Sequence, residues 1–174
     1  EIFFGALVHQ TIEDIHRNVL DGKGNGLGEI KIREMFDFNF RHLLNRGIRP
    51  IGPKQREQAF EHVMNYFNQN QEEMKRVIET EVDVSLEKES YILTGKIDLL
   101  LGGDGKLELL DFKSQPRPSE DDQRLDTYYK QLCIYAHILE QRYKKHPDRL
   151  LLYWTGEPQK EDALMFFPYR PELV

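Results

Sequence analysis

The spacing of apolar residues divides the chain into a first part with helical periodicity and a second part with strand periodicity. In residues 2–19 the apolar positions recur every three or four residues, which predicts an amphipathic helix with one buried face. The same spacing predicts helices over residues 29–44 and from Lys54 onward. Residues 1–80 are therefore expected to be mainly helical.

From residue 81 onward, apolar residues alternate with polar ones or form short blocks between turn residues, as is typical of strands. Three successive strands are expected to form an antiparallel meander before a fourth helix begins. The predicted elements are strands at 81–86, 91–101 and 106–114, a helix at 125–139, and strands at 150–154 and 163–169. This order predicts a mixed α/β fold, with a central β-sheet flanked by helices. The candidate catalytic core described below falls in its second part, residues 81–174.

The composition narrows the class of protein. A chain of 174 residues with 39% hydrophobic residues can bury one core, so we expect a single domain over residues 1–174. No apolar run approaches the ~20 residues that a membrane crossing needs. Cys133 is the only cysteine, which excludes a disulfide framework and fits a reducing, cytoplasmic setting. The chain starts at Glu1 without a leader, so we expect a piece excised from a larger protein.

The net charge of −6 has the wrong sign for a protein that binds DNA by neutralising phosphates alone. A metal site lined by carboxylates is itself acidic, however, and its bound cations supply the positive charge that meets a phosphate. The charge therefore argues against a simple basic DNA-binding module but leaves a metal-dependent enzyme open.

The residues that carry candidate chemistry lie on two neighbouring predicted strands. Because alternate residues of a strand share a face, Asp111 and Lys113 should project together, while Leu110 and Phe112 point into the core. Asp98 lies on the adjoining strand of the same hairpin, which can bring its carboxylate close to that of Asp111. Two such carboxylates are the ligands that Mg²⁺ or Mn²⁺ prefers.

This pair of carboxylates needs a cation, because like charges in a half-buried site repel and raise one pKa towards protonation. Lys113, held beside the metal, can orient or help deprotonate a water molecule. It can also offset the negative charge that develops on a phosphate in the transition state. The three residues Asp98, Asp111 and Lys113 are therefore typical of hydrolytic chemistry.

Four short segments, in order along the chain, together resemble the motifs of one family. They are Gly5-Ala6-Leu7-Val8-His9 followed by Glu13, Gly95-Lys96-Ile97-Asp98, Asp111-Phe112-Lys113, and Gln131 with Tyr135. The sequence resembles the PD-(D/E)XK nucleases and, within them, the RecB-like branch. Any one motif alone would be weak evidence, whereas four in the right order are a strong signal.

The resemblance implies a restriction-endonuclease-like core and a set of site residues. The metal residues that it implies are His9, Asp98, Asp111 and Phe112. The catalytic and positioning residues that it implies are Asp98, Asp111, Lys113, Gln131 and Tyr135. Ile97 stands where the family has the proline of its name, which ligates nothing, and Cys133 does not match the cysteines that hold an iron–sulfur cluster in some relatives.

Two further segments, 9–16 and 152–157, resemble the C-terminal nuclease module of UvrD-like superfamily 1 helicases. This resemblance implies a helicase-nuclease that acts in DNA repair or recombination. The expected partners are DNA, single-stranded DNA included, and helicase domains of the same chain or complex, without a membrane.

Several residues keep a plainer interpretation beside the functional one. Asp98 and Asp111 could form ordinary salt bridges with nearby lysines, and His9 could be a solvated helical residue. Tyr135 could belong to the apolar stripe of its helix. Glu81 could approach the metal site or face solvent, since its side-chain direction is not fixed by the sequence. For the whole chain, a catalytically silent nucleic-acid-binding or docking module and an RNA-cleaving enzyme remain alternatives to a DNA nuclease.

Overall fold

Three long helices form the first part of the molecule. The computed structural model describes residues 2–174. The helices are α1 (Ile2–Leu20), α2 (Glu29–Asn45) and α3 (Pro53–Gln69). Short 3₁₀ turns follow α1 and α3, at Gly24–Gly26 and Glu72–Arg76. The helical prediction for this part of the chain is therefore confirmed, to within one residue at each predicted boundary.

A five-stranded mixed sheet forms the second part. Its strands are β1 (Val77–Glu87), β2 (Ile92–Leu101), β3 (Glu108–Lys113), β4 (Arg149–Trp154) and β5 (Leu164–Phe167), and they lie side by side in this order. The first three form the predicted antiparallel meander, β3 pairs with β4 in parallel, and β5 is antiparallel to β4. Helix α4 (Arg124–Tyr143) makes the crossover that the parallel pairing of β3 and β4 requires.

The two faces of the sheet bury two separate apolar cores. Leu110 and Phe112 of β3 pack with α1 and α3 on one face, whereas Leu109, the residue before Leu110, packs under α4 on the other. This alternation follows from the pleat of a strand, in which successive side chains point to opposite faces. Asp111 and Lys113 therefore lie on the α4 face of β3, and the predicted sharing of one face by these two residues is confirmed.

Three strands have a boundary that differs from the prediction by two or more residues, and one of them is β3, which begins at Glu108 and not at residue 106. Strand β1 begins at Val77, four residues before the expected start, because the register shifts between Val77 and Glu79 and hides the alternation. The last strand is shorter than predicted, since Ala163 ends a one-turn helix, α5 (Lys160–Ala163), before β5 begins at Leu164. The change from helix to sheet thus occurs near residue 77 and not at residue 81.

No helix among residues 2–174 combines the length and the apolar character that a bilayer crossing would require.

Candidate active site

The two aspartates of the candidate site lie where β2 and β3 separate. The strands pair from Leu101 opposite Glu108 to Leu99 opposite Leu110, and Asp98 and Asp111 are the next residue on each strand. Asp98 is fixed by the backbone of β3, because its Oδ2 accepts a hydrogen bond of 2.8 Å from the Phe112 amide. The fork between the strands thus brings both carboxylates together, as the hairpin predicted.

The environment of this pair disfavours two negative charges. Only 15% of the Asp98 side chain and 12% of the Asp111 side chain is exposed. Burial, followed by the charge of Asp111 and a hydrogen bond with it, raises the pKa of Asp98 well above its usual range. Asp98 therefore holds its proton more tightly than an ordinary carboxyl does, unless a cation compensates the charge.

Lys113 contributes the cation that is nearest to this pair. Its Nζ lies 2.8 Å from Oδ2 of Asp111, on the same face of β3. The same Nζ lies 4.1 Å from the centre of the Tyr128 ring, which comes from α4. The lysine is thus held from two sides and is 79% buried, with 21% of its side chain exposed.

His9 reaches the site from α1, on the other side of the sheet. Its Nδ1 lies 3.8 Å from Oδ2 of Asp98, and its imidazole is hydrogen-bonded to the backbone carbonyl of Phe112. Burial lowers the pKa of His9, which leaves the ring neutral at pH 7 and able to offer a lone pair. The side chain of Phe112 packs against His16, Tyr66 and Tyr153, and its ring centre also lies 6.3 Å from that of His9 in an edge-on arrangement.

The donor set suits a hard divalent cation better than zinc. Within residues 2–174, no three His, Cys, Asp or Glu side chains are grouped closely enough to hold a metal by themselves. Two carboxylates and one backbone carbonyl, with water in the remaining positions, are what Mg²⁺ accepts in proteins. The residues present therefore fit a partly hydrated Mg²⁺ or Mn²⁺ ion and do not form a closed zinc cage.

Glu81, whose direction the sequence left open, faces the site. It lies opposite Asp98 in the register of β1 and β2, and its backbone has a φ of 50°, which is uncommon for a residue other than glycine. Its carboxylate is 3.3 Å from the Lys96 ammonium and lines a small cavity with His9 and Glu13. Burial, and then the charge of Glu13, raises the pKa of Glu81. This side of the site is strongly acidic.

Helix α4 brings Gln131 and Tyr135 to the same end of the sheet. The amide of Gln131 donates a hydrogen bond of 2.7 Å to the Tyr135 hydroxyl, which also receives one from the Lys96 backbone. A side chain at Gly95 would clash with this ring, since an added Cβ would lie 2.1 Å from Cε1 of Tyr135. Tyr135 is thus both part of the apolar layer under α4 and in contact with the motif that carries Asp98.

The sequence patterns did not predict two contacts of Lys113, one with Tyr128 and one with Thr155. Tyr128 lies three residues before Gln131 and seven before Tyr135, so helical spacing could have identified it as a third member of this face of α4. Thr155 is hydrogen-bonded through its amide to the carbonyl of Lys113 and through its hydroxyl to His62. No sequence signal indicates this second contact, because it depends on the parallel pairing of β3 and β4.

Comparisons with known proteins give one family match and several similar folds. The family model of the PD-(D/E)XK nuclease superfamily matches residues 2–170, which is nearly the whole chain. No curated protein matches the sequence.

Among solved structures, a candidate exonuclease from Eubacterium rectale superposes with a TM-score of 0.53 at 14% identity, over 83% of this chain and 57% of that protein. Protein VC1899 from Vibrio cholerae aligns over 93% of this chain and 50% of that protein at 13% identity, with a TM-score of 0.35 that supports no argument. The first likeness shows the fold alone and confirms the predicted restriction-endonuclease-like core. This chain spans little more than half the length of the first protein and half that of the second.

Proposed function

Because the chain belongs to the PD-(D/E)XK nuclease superfamily, we propose that it hydrolyses phosphodiester bonds of DNA with the help of Mg²⁺ or Mn²⁺. The observation that carries this proposal is the fork of β2 and β3, where Asp98 and Asp111 face each other with Lys113 2.8 Å from Asp111. A module without catalytic activity has no physical need for two buried carboxylates that repel each other.

In this mechanism Asp98, Asp111 and the carbonyl of Phe112 would hold the metal, and His9 would complete or order its shell. When bound there, the cation would neutralise the two carboxylates, polarise a phosphate oxygen and lower the pKa of a water molecule. The ammonium of Lys113 orients that water and stabilises the charge that develops on the phosphate. The polar contact between Gln131 and Tyr135 keeps α4 against the motif that carries Asp98.

Beyond the superfamily, we assign the chain to the RecB-like branch, as a single nuclease domain of a larger, cytoplasmic helicase-nuclease that acts in DNA repair or recombination. The order of the four motifs supports the branch, and the resemblance of segments 9–16 and 152–157 supports the link to a helicase. The substrate in this setting is DNA, in particular the single strands that a helicase releases.

A digestion assay with matched substrates tests the proposal. Linear and circular single-stranded DNA, duplex DNA and single-stranded RNA are incubated with the protein in Mg²⁺, in Mn²⁺ and in excess chelator. We expect cleavage of single-stranded DNA in the presence of either metal and none in chelator. Loss of linear but not of circular DNA identifies an exonuclease, whereas loss of both identifies an endonuclease.

The Lys113→Ala variant is the control that assigns the activity to this site. Cleavage by the wild type and not by the variant supports the proposal. A wild type that binds DNA but cleaves none of the substrates in either metal would favour the silent docking module, and preferential cleavage of RNA would replace DNA as the substrate.

A further inference from the structure

Lys113 has an aromatic partner that none of the recognised motifs includes. Tyr128 presents its ring to the lysine, with 4.1 Å between Nζ and the ring centre. A cation at this distance from an aromatic face is attracted by the negative charge above the ring. Tyr128 lies one turn of α4 before Gln131, so it belongs to the face of this helix that also carries Gln131 and Tyr135.

The ring of Tyr128 packs against a second aromatic ring, that of Trp154. It lies 6.2 Å from the ring of Trp154, centre to centre, with an angle of 57° between the planes. Trp154 is fully buried and is paired with Lys113 in the parallel register of β3 and β4. The aromatic support for the lysine is therefore built into the sheet and does not depend on a mobile surface residue.

The two partners of Lys113 differ in what happens to them during the proposed reaction. Asp111 is the one carboxylate that forms an ion pair with Lys113 among residues 2–174, and it is also a proposed metal ligand. When Asp111 binds a divalent cation, its oxygens are shared and its attraction for the ammonium falls. The Tyr128 ring has no lone pair with which to bind the metal, so its attraction for the Lys113 ammonium persists.

We propose that Tyr128 is a positioning residue, which keeps the ammonium of Lys113 beside the reacting phosphate when Asp111 is engaged by the metal. The proposal rests on the proposed nuclease function for its catalytic consequence, but the contact itself exists independently of cleavage. Its chemical requirement is an aromatic face at position 128, and the hydroxyl of the tyrosine is not needed.

Nuclear magnetic resonance tests the contact without any turnover. The lysines are dimethylated with ¹³C, which keeps their positive charge, and the resonance missing from Lys113→Arg is assigned to Lys113. We expect the ring current of Tyr128 to shift this resonance upfield, and the shift to persist when diamagnetic Mg²⁺ is added. Tyr128→Phe should retain the shift, whereas Tyr128→Leu and Tyr128→Met should lose it.

Kinetics of the same variants test the positioning role. In Tyr128→Leu we expect kcat to fall by about 10-fold, the scale of one partly desolvated cation–π contact, while KM for single-stranded DNA and the affinity for Mn²⁺ stay unchanged. Tyr128→Phe should retain wild-type kcat. The matched control is Tyr129→Leu, since Tyr129 contacts Phe167 on another side of α4 and its loss should leave kcat unchanged.

The outcomes separate this inference from the proposed function. A Lys113 resonance without an upfield shift in Mg²⁺, or a folded Tyr128→Leu or Tyr128→Met variant with wild-type kcat, would overturn the positioning role. A wild type that cleaves no nucleic acid would overturn the nuclease function, while the resonance would still report whether the ring holds the lysine. Tyr128→Met serves as the second variant if Tyr128→Leu fails to fold.

Discussion

The backbone amide of Phe112 donates a hydrogen bond of 2.8 Å to Oδ2 of Asp98, across the point where β2 and β3 separate. This bond joins the two strands after their regular pairing has ended at Leu99 and Leu110. It fixes one carboxylate oxygen of Asp98 and leaves the other oxygen available. The same residue, Phe112, turns its carbonyl toward His9, so the backbone of one residue of β3 contacts two of the proposed metal residues.

We expect Mg²⁺ or Mn²⁺ to raise the melting temperature of the protein. The native state brings Asp98 and Asp111 together, whereas the unfolded chain does not, so a metal that binds the native state alone stabilises it. At a metal concentration 100-fold above Kd the gain is about 2.7 kcal/mol. Differential scanning fluorimetry across a metal titration measures the shift. The control is Asp111→Asn, in which the shift should be largely lost; an equal shift in wild type and variant would place the metal elsewhere.

Removal of Lys113 should separate catalysis from binding. Because a cation does not ligate a metal, Lys113→Ala should retain affinity for DNA and Mn²⁺ while cleavage falls by at least ~100-fold, the scale of one lost transition-state contact. Lys113→Met makes the same test with less loss of packing. Asp111→Ala removes a ligand and should lose metal binding as well. Single-turnover cleavage and calorimetric titration distinguish the two cases, and wild-type cleavage by Lys113→Ala would refute this active site.

His9 should matter for metal affinity more than for the chemical step. Its neutral ring lies 3.8 Å from Asp98 and adds no charge to the site, so we expect His9→Ala to weaken Mn²⁺ binding by ~10- to 100-fold, the range for residues that support metal ligands. Activity should recover at high Mn²⁺. The measurement is the metal dependence of kcat in the variant and the wild type. An unchanged metal dependence would return His9 to the interpretation of an ordinary helical histidine.

Gly95→Ala should destabilise the protein through one clash. An added Cβ would lie 2.1 Å from Cε1 of Tyr135, and displacing that ring costs about 1–3 kcal/mol, as overpacking in a core does. Urea unfolding measures the loss. The matched control is Gly26→Ala, where an added Cβ meets nothing within 4 Å. In the double variant Gly95→Ala/Tyr135→Ala the cost of the glycine change should disappear, and purely additive losses would show that the clash is not its cause.

His16 should make the stability of the protein depend on pH. Burial lowers its pKa to about 3, whereas the unfolded chain has the ordinary value of about 6.5. Between these values the unfolded state binds a proton that the native state does not. Stability is therefore fully present above pH 6.5 and falls as the pH drops towards 3, with a slope that approaches ~1.4 kcal/mol per pH unit.

Urea unfolding at pH 7 and pH 5 measures this effect, and His16→Gln should remove it. The control is His146→Gln, because the His146 side chain is 62% exposed and its replacement should leave the pH dependence intact. A slope that is the same in the wild type and in His16→Gln would mean that other groups cause the pH dependence.

The elements of the fold follow from local patterns, and the sequence therefore predicted most of them. The helices α1 and α4 carry clear apolar stripes, and β1 alternates buried and more exposed residues from Thr80 to Ser85. The start of β1 could not be predicted, because the shift in register at Val77 places an exposed Ile78 where the pattern requires a buried residue. Bulges of this kind depend on the partner strand and leave no local signal.

For the candidate site, the sequence predicted the residues that alternation places together and missed those that depend on irregular backbone. Asp111 and Lys113 share a face because they are two residues apart on one strand. The direction of the Glu81 side chain depends on its positive φ. The alternation of β2 also breaks around Asp98, since Ile97 and Leu100 are three residues apart and yet pack in the same core. The contact of Tyr128 with Lys113 depends on the docking of α4, which spacing alone does not establish.

The origin of the site in distant parts of the chain affects when the site forms during synthesis. Asp98, Asp111 and Lys113 belong to one hairpin, but His9 lies about 90 residues earlier in the sequence. A ribosome that adds roughly 5–20 residues per second therefore exposes α1 for several seconds before its partner strands exist. The nascent chain holds no assembled metal centre in that interval. Under the proposed function, full metal affinity is therefore expected only after the sheet has left the ribosome and α1 has docked on it.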